Sequence, residues 1–247
     1  MGRKRDILVA GIILLLIWEG AALLLDSMAL PQPWAVLLDC VERIADGSLI
    51  DDFLISAARA VAGILLAFVT AVPLGLVVGA EPGWRKRISP FIYLLYPIPH
   101  VVLLPLVIIL FGIGDFSKIF LIALIVFFQA LVTTRDGAKN IHRNYFYSMQ
   151  TLSASPLQVY RHLVLPATLP KILTAMRISI GTAVAILFFV ESFATTKGLG
   201  YIIMDSWGRS DYTSLYTGIF AMAILGFILY LILDRLEQRV CRWTIVK

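Results

Sequence analysis

Apolar runs close to the length of a bilayer crossing recur along this chain of 247 residues. A hydrocarbon core about 30 Å thick takes roughly 20 residues in helical form. Only helices or closed barrels can satisfy every backbone polar group there. Six runs meet or approach that length: 7–25, 55–79, 91–111, 119–134, 172–194 and 215–233. Composition agrees. Hydrophobic residues make up 60% and charged residues 15%, against about 25% charged in a soluble domain, and the mean hydropathy is +0.88. Such a chain cannot supply the polar surface a soluble globule needs. Disorder, collagen-like repeats and a disulfide scaffold are excluded by the same numbers. The expected class is an all-α membrane protein with six transmembrane helices in one domain over 1–247.

The segments differ in character. The run 7–25 follows Arg3, Lys4 and Arg5 and precedes Ser27 and Ala29, a pattern shared with signal peptides. It is long for a signal core and is expected to be retained as a span. Residues 30–54 hold Pro31, Pro33, five acidic side chains and Arg43, which predicts an extramembrane stretch with one short amphipathic helix over 34–45 and a turn at Gly47. Pro73 predicts a kink in the second span. Pro97, Pro99 and Pro105 predict that the third is not a clean helix. Ser117 reads as the N-cap of the fourth.

The net charge of +5 belongs to the ends of the apolar runs. With six spans, sixteen of the 21 Lys and Arg fall on the side shared by both termini, the 81–90 turn and the stretch after span four. That asymmetry predicts cytoplasmic termini and a periplasmic 30–54 segment. It explains the basic balance better than a nucleic-acid surface does. Cys40 and Cys241 then lie on opposite sides, and neither cysteines nor His100, His142 and His162 show metal-ligand spacing. No internal repeat is visible, which weighs against an inverted-repeat carrier.

The stretch 135–170 is too long for an idle connection. It reads as two short helices. The first, 144–154, presents Tyr145, Tyr147, Met149 and Leu152 among polar residues. The second starts at Ser155-Pro156, cap and first position, runs to about Val164, and is closed by Leu165-Pro166 and Leu169-Pro170. Aromatic and Met side chains on a short rigid helix suit a groove on a partner protein. The same pattern equally fits an amphipathic helix lying in the headgroup layer or under its own bundle.

This segment, from Leu152-Ser-Ala-Ser-Pro156 to Leu165-Pro166 and Pro170, resembles the EAA loop of binding-protein-dependent ABC importer permeases. Tyr96-Pro-Ile-Pro99, the run Phe111-Gly-Ile-Gly-Asp-Phe-Ser-Lys-Ile-Phe120, Asp136-Gly137, Lys197-Gly-Leu-Gly-Tyr201 and the tail from Leu233 to Val240 are similar to the nitrate, taurine and aliphatic-sulfonate branch. The resemblance spans roughly residues 50–243. There are departures: Tyr147, Ser148 and Met149 stand at the Glu-Ala-Ala positions, and Ser153 at the loop glycine. Ser153 must therefore take a backbone conformation that suits glycine better, or use its hydroxyl locally.

The resemblance implies the type I importer fold and a transport role without catalysis in this chain. Two permease copies, two cytoplasmic ABC ATPase subunits and a periplasmic solute-binding protein would assemble in a bacterial-type inner membrane. ATP and Mg2+ would be bound by the ATPase chains; this sequence has no Gly-x-x-x-x-Gly-Lys-Ser/Thr loop and is expected to hold no cofactor or metal. Coupling to the ATPase would fall on Tyr145, Tyr147, Ser148, Met149, Leu152, Ser153, Ala154, Leu165 and Pro166.

Polar groups inside apolar spans are the candidates for the pore or gate. They are His100, Gln129 and Glu191, with Gly198 and Gly200 in a turn able to plug the outer mouth. Glu191 either faces the translocation path or bonds to the adjacent 198–201 turn. His100 either lines a cavity opened by Pro97 and Pro99 or is satisfied by a neighbouring helix. The alternative function is an ion-coupled secondary transporter of a small solute. It would need a relay of charge, and only Glu19 and Glu191 are clear intramembrane acids.

Overall fold

The structure is a computed structural model and describes residues 2–241, save the side chains of residues 2–5, 7 and 8. Part of the charge asymmetry, on Arg3, Lys4, Arg5, Arg242 and Lys247, thus lies outside the described residues. Every regular element described is helical: α1 (Gly2–Leu25), α2 (Pro33–Ala45), α3 (Ser48–Ala80), α4 (Pro82–Leu95), α5 (Leu104–Phe111), α6 (Asp115–Lys139), α7 (Arg143–Thr151), α8 (Pro156–Val159), α9 (Leu165–Glu191), α10 (Leu199–Gly208) and α11 (Tyr212–Val240). Four helical stretches are long and apolar enough to cross a membrane: Ser48–Ala80, Asp115–Lys139, Pro156–Glu191 and Tyr212–Val240. A fifth, Pro82–Leu95 with His100–Phe111, qualifies as a pair bent by 77°. In α1 the apolar part is shorter, Val9–Leu25.

The chain up to Ser56 and Glu191–Ile224 form one compact unit; Ala57–Val190 and the chain from Leu225 onward form another. In the first unit, the Trp18 indole N–H donates to the Pro31 carbonyl at 3.1 Å, setting α2 beside α1. The Thr217 hydroxyl donates to the Val36 carbonyl at 3.4 Å, and Arg43 to the Ser214 hydroxyl at 2.5 Å. These bonds lay α2 along the first turns of α11. Val36, Leu49, Leu199 and Ile203 are buried in this unit.

In the second unit, α3 and α6 meet along a seam of small residues. A Cβ on Gly63 would come within 2.6 Å of Ile122 Cγ2, and one on Gly75 within 2.8 Å of Thr134 Cβ. A Cβ on Gly79 would strike the Arg135 carbonyl. Hydrogen in place of a side chain lets the backbones approach, which is how helices gain contact where water supplies no driving force. Leu121, Ile122, Val126 and Leu131 on α6 are buried. Arg177 on α9 pairs with Glu237 and with Asp234 (3.7 Å) on α11, its guanidinium 5.6 Å from the Tyr230 ring.

Two local expectations are overturned. Ser117 does not cap α6. Gly112 (φ +80°) turns the chain early, Gly114 takes the cap position, and the buried Ser117 hydroxyl bonds back to the Gly114 carbonyl at 2.9 Å. The early start places Asp115 in the first turn, where a negative charge suits the helix dipole. Nor do Pro166 and Pro170 close the preceding helix. A π turn over Tyr160–Val164 joins α8 to α9, so the helix runs on to Glu191. The wider turn leaves room for the Pro166 ring, which then sits at the tolerant start of α9. The connection 195–214 is likewise not all irregular; it contains α10. α3 begins before its apolar run because Asp46 accepts from the Ser48 amide at 2.8 Å, a bond that also holds the Asp46 carboxyl below the usual carboxylate range.

Candidate functional site

The segment between α6 and α9 is shaped by bonds within itself. His142 caps α7, its Nδ1 accepting from the Asn144 amide at 3.3 Å. At the far end Ser153 adopts φ +51°, the left-handed region. Its amide donates to the Gln150 carbonyl at 2.9 Å and that of Ala154 to the Met149 carbonyl at 3.1 Å. This is a Schellman closure with serine where glycine is the usual occupant. Ser155 then opens the next helix with a reciprocal capping box: its amide donates to Gln158 Oε1 at 2.7 Å, and its hydroxyl accepts from the Gln158 amide at 3.4 Å.

On this frame the apolar side chains point outward. Tyr145 is 61% exposed, Tyr147 55% and Leu152 76%. Ser148 and Ser153 are exposed, whereas Met149 and Ala154 are half-buried. Leu165 and Pro166 lie beyond the π turn, Leu165 partly open. An open groove of about 920 Å³ brings Tyr145 and Pro166 together with Asp136, His142, His162 and Lys171. A second of about 280 Å³ has Tyr147 and Phe146 beside Arg85, Lys139 and Arg143. Apolar anchors rimmed by mixed charge form a surface on which a protein could seat, not a site for covalent chemistry.

Glu191, Gly198 and Gly200 come together in the first unit. Glu191 is fully buried. The Ser56 hydroxyl donates to its carboxylate, lying 2.9 and 2.8 Å from the two oxygens, and the Gly200 amide donates to Oε2 at 3.0 Å. Ser56 Oγ in turn accepts from the Leu199 amide at 2.8 Å, and Asp52 Oδ1 from the Gly198 amide at 2.6 Å. Three successive amides at the start of α10 are thus satisfied by two carboxylates and a hydroxyl, and the dipole favours the negative charge. Gly198 sits at φ +114°, which a side chain rarely tolerates. Asp52 and Ser56 were not singled out from the sequence. Their signal is the four-residue spacing, which puts both on one face of α3.

His100 and Gln129 belong to the second unit. His100 is buried and its ring stacks on Phe128 at 4.6 Å and 24°. Gln129, next in sequence to Phe128, accepts from the Ser179 hydroxyl at 3.4 Å. Neither lines the two grooves described above. Also missed was Arg59, buried on α3 and bonded to Asp115 Oδ1 at 2.6 and 2.8 Å.

Residues 71–242 match a family described as binding-protein-dependent transport system inner membrane component. The chain is 32% identical over 252 residues to SsuC of Bacillus subtilis (strain 168), named as an aliphatic sulfonates transport permease protein; the match covers 98% of this chain and 90% of that one. It is 32% identical over 238 residues to the taurine transport system permease protein TauC of Escherichia coli (strain K12), covering 94% and 86%. The formylaminopyrimidine transport permease protein ThiX of Halalkalibacterium halodurans is 27% identical over 94% of this chain and 93% of its own. Among solved structures, an inward-facing form of the MetNI methionine ABC transporter shares the fold with a TM-score of 0.68 at 18% identity, over 79% of this chain and 97% of that chain.

Proposed function

The chain belongs to the family of binding-protein-dependent transport system inner membrane components, and from that premise we propose how it works. It is the membrane permease subunit of an ABC transporter. Two copies line a translocation path, with six crossings each and both termini in the cytoplasm of a bacterial-type inner membrane. A solute-binding protein delivers a small organic solute from outside, in keeping with the taurine and formylaminopyrimidine named for the relatives. Two ATPase subunits bind ATP and Mg2+ beneath.

The observation that carries this reading is the exposure of Tyr145, Tyr147 and Leu152 on a frame held by its own caps. Such a segment keeps its shape while its apolar face waits for a partner. The ATPase pair is the two-state element, and a helix seated in each ATPase makes the permease share that equilibrium. Ser148, Met149, Ser153, Ala154, Leu165 and Pro166 set the angle at which the aromatic anchors meet the ATPase. His100, Gln129, Glu191, Gly198 and Gly200 remain the residues to test for a role in the path or its outer closure. An ion-coupled carrier is not favoured: of its two candidate acids, Glu191 is already engaged by Ser56 and Gly200.

Tyr147→Asp combined with Met149→Asp tests the coupling role. Anchor residues of an interface are each worth about 2 kcal/mol or more, so recovery of the ATPase with the permease should fall more than about tenfold and transport with it. The variant should still elute as a monodisperse membrane protein. Normal transport by this double variant, or gradient-driven uptake by the chain without an ATPase, overturns the reading.

A further inference from the structure

α2 was expected to lie outside the membrane, yet its neighbours place it deeper. The Pro31 carbonyl, just before α2, meets the Trp18 indole, and Trp18 lies seven residues before the end of α1. At 1.5 Å per residue α1 continues about 10 Å beyond that level. The other side gives the same answer. Val36 is held by Thr217, well inside the first two turns of α11, and Arg43 by Ser214 in its first turn. Trp18 and Tyr216, with rings 5.7 Å apart, mark this depth. The start of α2 is therefore sunk below the ends of both flanking helices, and its far end rises towards the aqueous side.

Around its axis α2 has three sectors. Pro33, Val36 and Cys40 are buried against the chain. Asp39, Glu42, Arg43 and Asp46 form a polar sector, with Asp39 and Arg43 paired at 2.9 Å. Between them, at helical spacing, Trp34, Leu37, Leu38, Val41 and Ile44 are exposed, Trp34 to 65% and Val41 to 62%. In α1 the exposed apolar positions Ile12 to Ile17 are consecutive and so point in every direction, and Leu24 is 89% exposed. An exposed helical stretch apolar on all sides reads as part of a membrane span, and α2 begins next to the end of that stretch, at Trp18.

We infer that α2 is a ledge embedded in the bilayer interface, its Trp34–Leu38–Val41 sector immersed among acyl chains and its exposed Glu42 and Asp46 in water. Lipid is the occupant because apolar and polar sectors lie about 150° apart on one short helix at the depth where amphipathic helices with an indole anchor settle. A protein partner would not require Glu42 and Asp46 to stay open beside the apolar sector.

Nitroxide labels at Val41→Cys and, separately, Glu42→Cys test this in the full chain, with Cys40 and Cys241 replaced by alanine, reconstituted in phosphatidylethanolamine–phosphatidylglycerol vesicles. The ratio of oxygen to nickel-chelate collision rates should be several-fold higher at 41 than at 42. Equal ratios place the sector in water and overturn the inference. A label at 41 shielded from both reagents reveals a protein occupant, a second copy included, and overturns it too. With the native cysteines retained, brominated-acyl lipid should quench less of the tryptophan fluorescence in Trp34→Phe than in the parent; an unchanged quenched fraction counts against the ledge.

Discussion

The turn around Glu191 and the segment around Tyr147 solve opposite problems. At Glu191 the polar groups are buried, and residues far apart in sequence satisfy them: Ser56 lies 135 positions away and Asp52 reaches Gly198 across 146. Around Tyr147 every cap comes from within five residues, and Tyr145, Tyr147 and Leu152 are exposed. The first region is held by the fold and cannot change one member without stranding another. The second holds itself and offers its surface to something else.

That contrast can be broken by mutation. The largest effect is expected at Glu191→Ala, which strands the Ser56 hydroxyl and the Gly200 amide in a buried site and should cost about 3 kcal/mol or more, read as a lowered midpoint in thermal unfolding of the detergent-solubilised chain. Glu191→Gln keeps an acceptor and should lose much less. If alanine is tolerated without a shift, the turn is not held as described. In the other region the sign reverses. Ser153→Gly removes the left-handed strain of a side chain and should stabilise by up to about 1 kcal/mol, seen as slower proteolysis within 143–165; faster cleavage would mean that the Ser153 conformation is sustained by more than its backbone.

The smallest effect sharpens the comparison at a cap of intermediate kind. Asp211 precedes α11 and accepts from the Ser214 amide at 3.2 Å, and hydrogen bonding to Ser214 holds its carboxyl below the usual range. A carboxyl depressed in the folded state stabilises above its unfolded pKa and stops doing so as pH falls through the folded value. Asp211→Ala should therefore cost about 1 kcal/mol near neutrality, and the gap between parent and variant should start to narrow below about pH 4 and close as pH falls through the lower folded value. A gap in melting point that does not narrow at all as pH is lowered from about 5 to about 2 would assign the loss to packing.

Much of the local frame was legible in the sequence. Ser155-Pro156 announced a helix start, Pro97 and Pro99 announced the break now seen as a 77° bend, and the serine at the loop-glycine position announced a strained joint. What was not legible depended on partners distant in sequence. Ser56 looked like one more small residue in an apolar run until Glu191 and Leu199 met it, and Arg59 like a stray cation until Asp115 did. Proline was over-read at 166, where a π turn upstream changes which amides the helix needs, and at 170, which α9 carries in its interior. The depth of α2 was hidden for a related reason: its charges announced water, while the indole of Trp18 and the hydroxyl of Thr217 that fix its level belong to other helices.

The small-residue seam between α3 and α6 carries one more consequence. With backbones that close at Gly63, Gly75 and Gly79, no fatty acid tail can wedge between the two rods. A shift in bilayer thickness or stiffness can push only on their outer flanks, so the pair should tilt as a single plank. α1, exposed at every position from Ile12 to Ile17, has no such shelter along that stretch and should register a change in the surrounding fluid first.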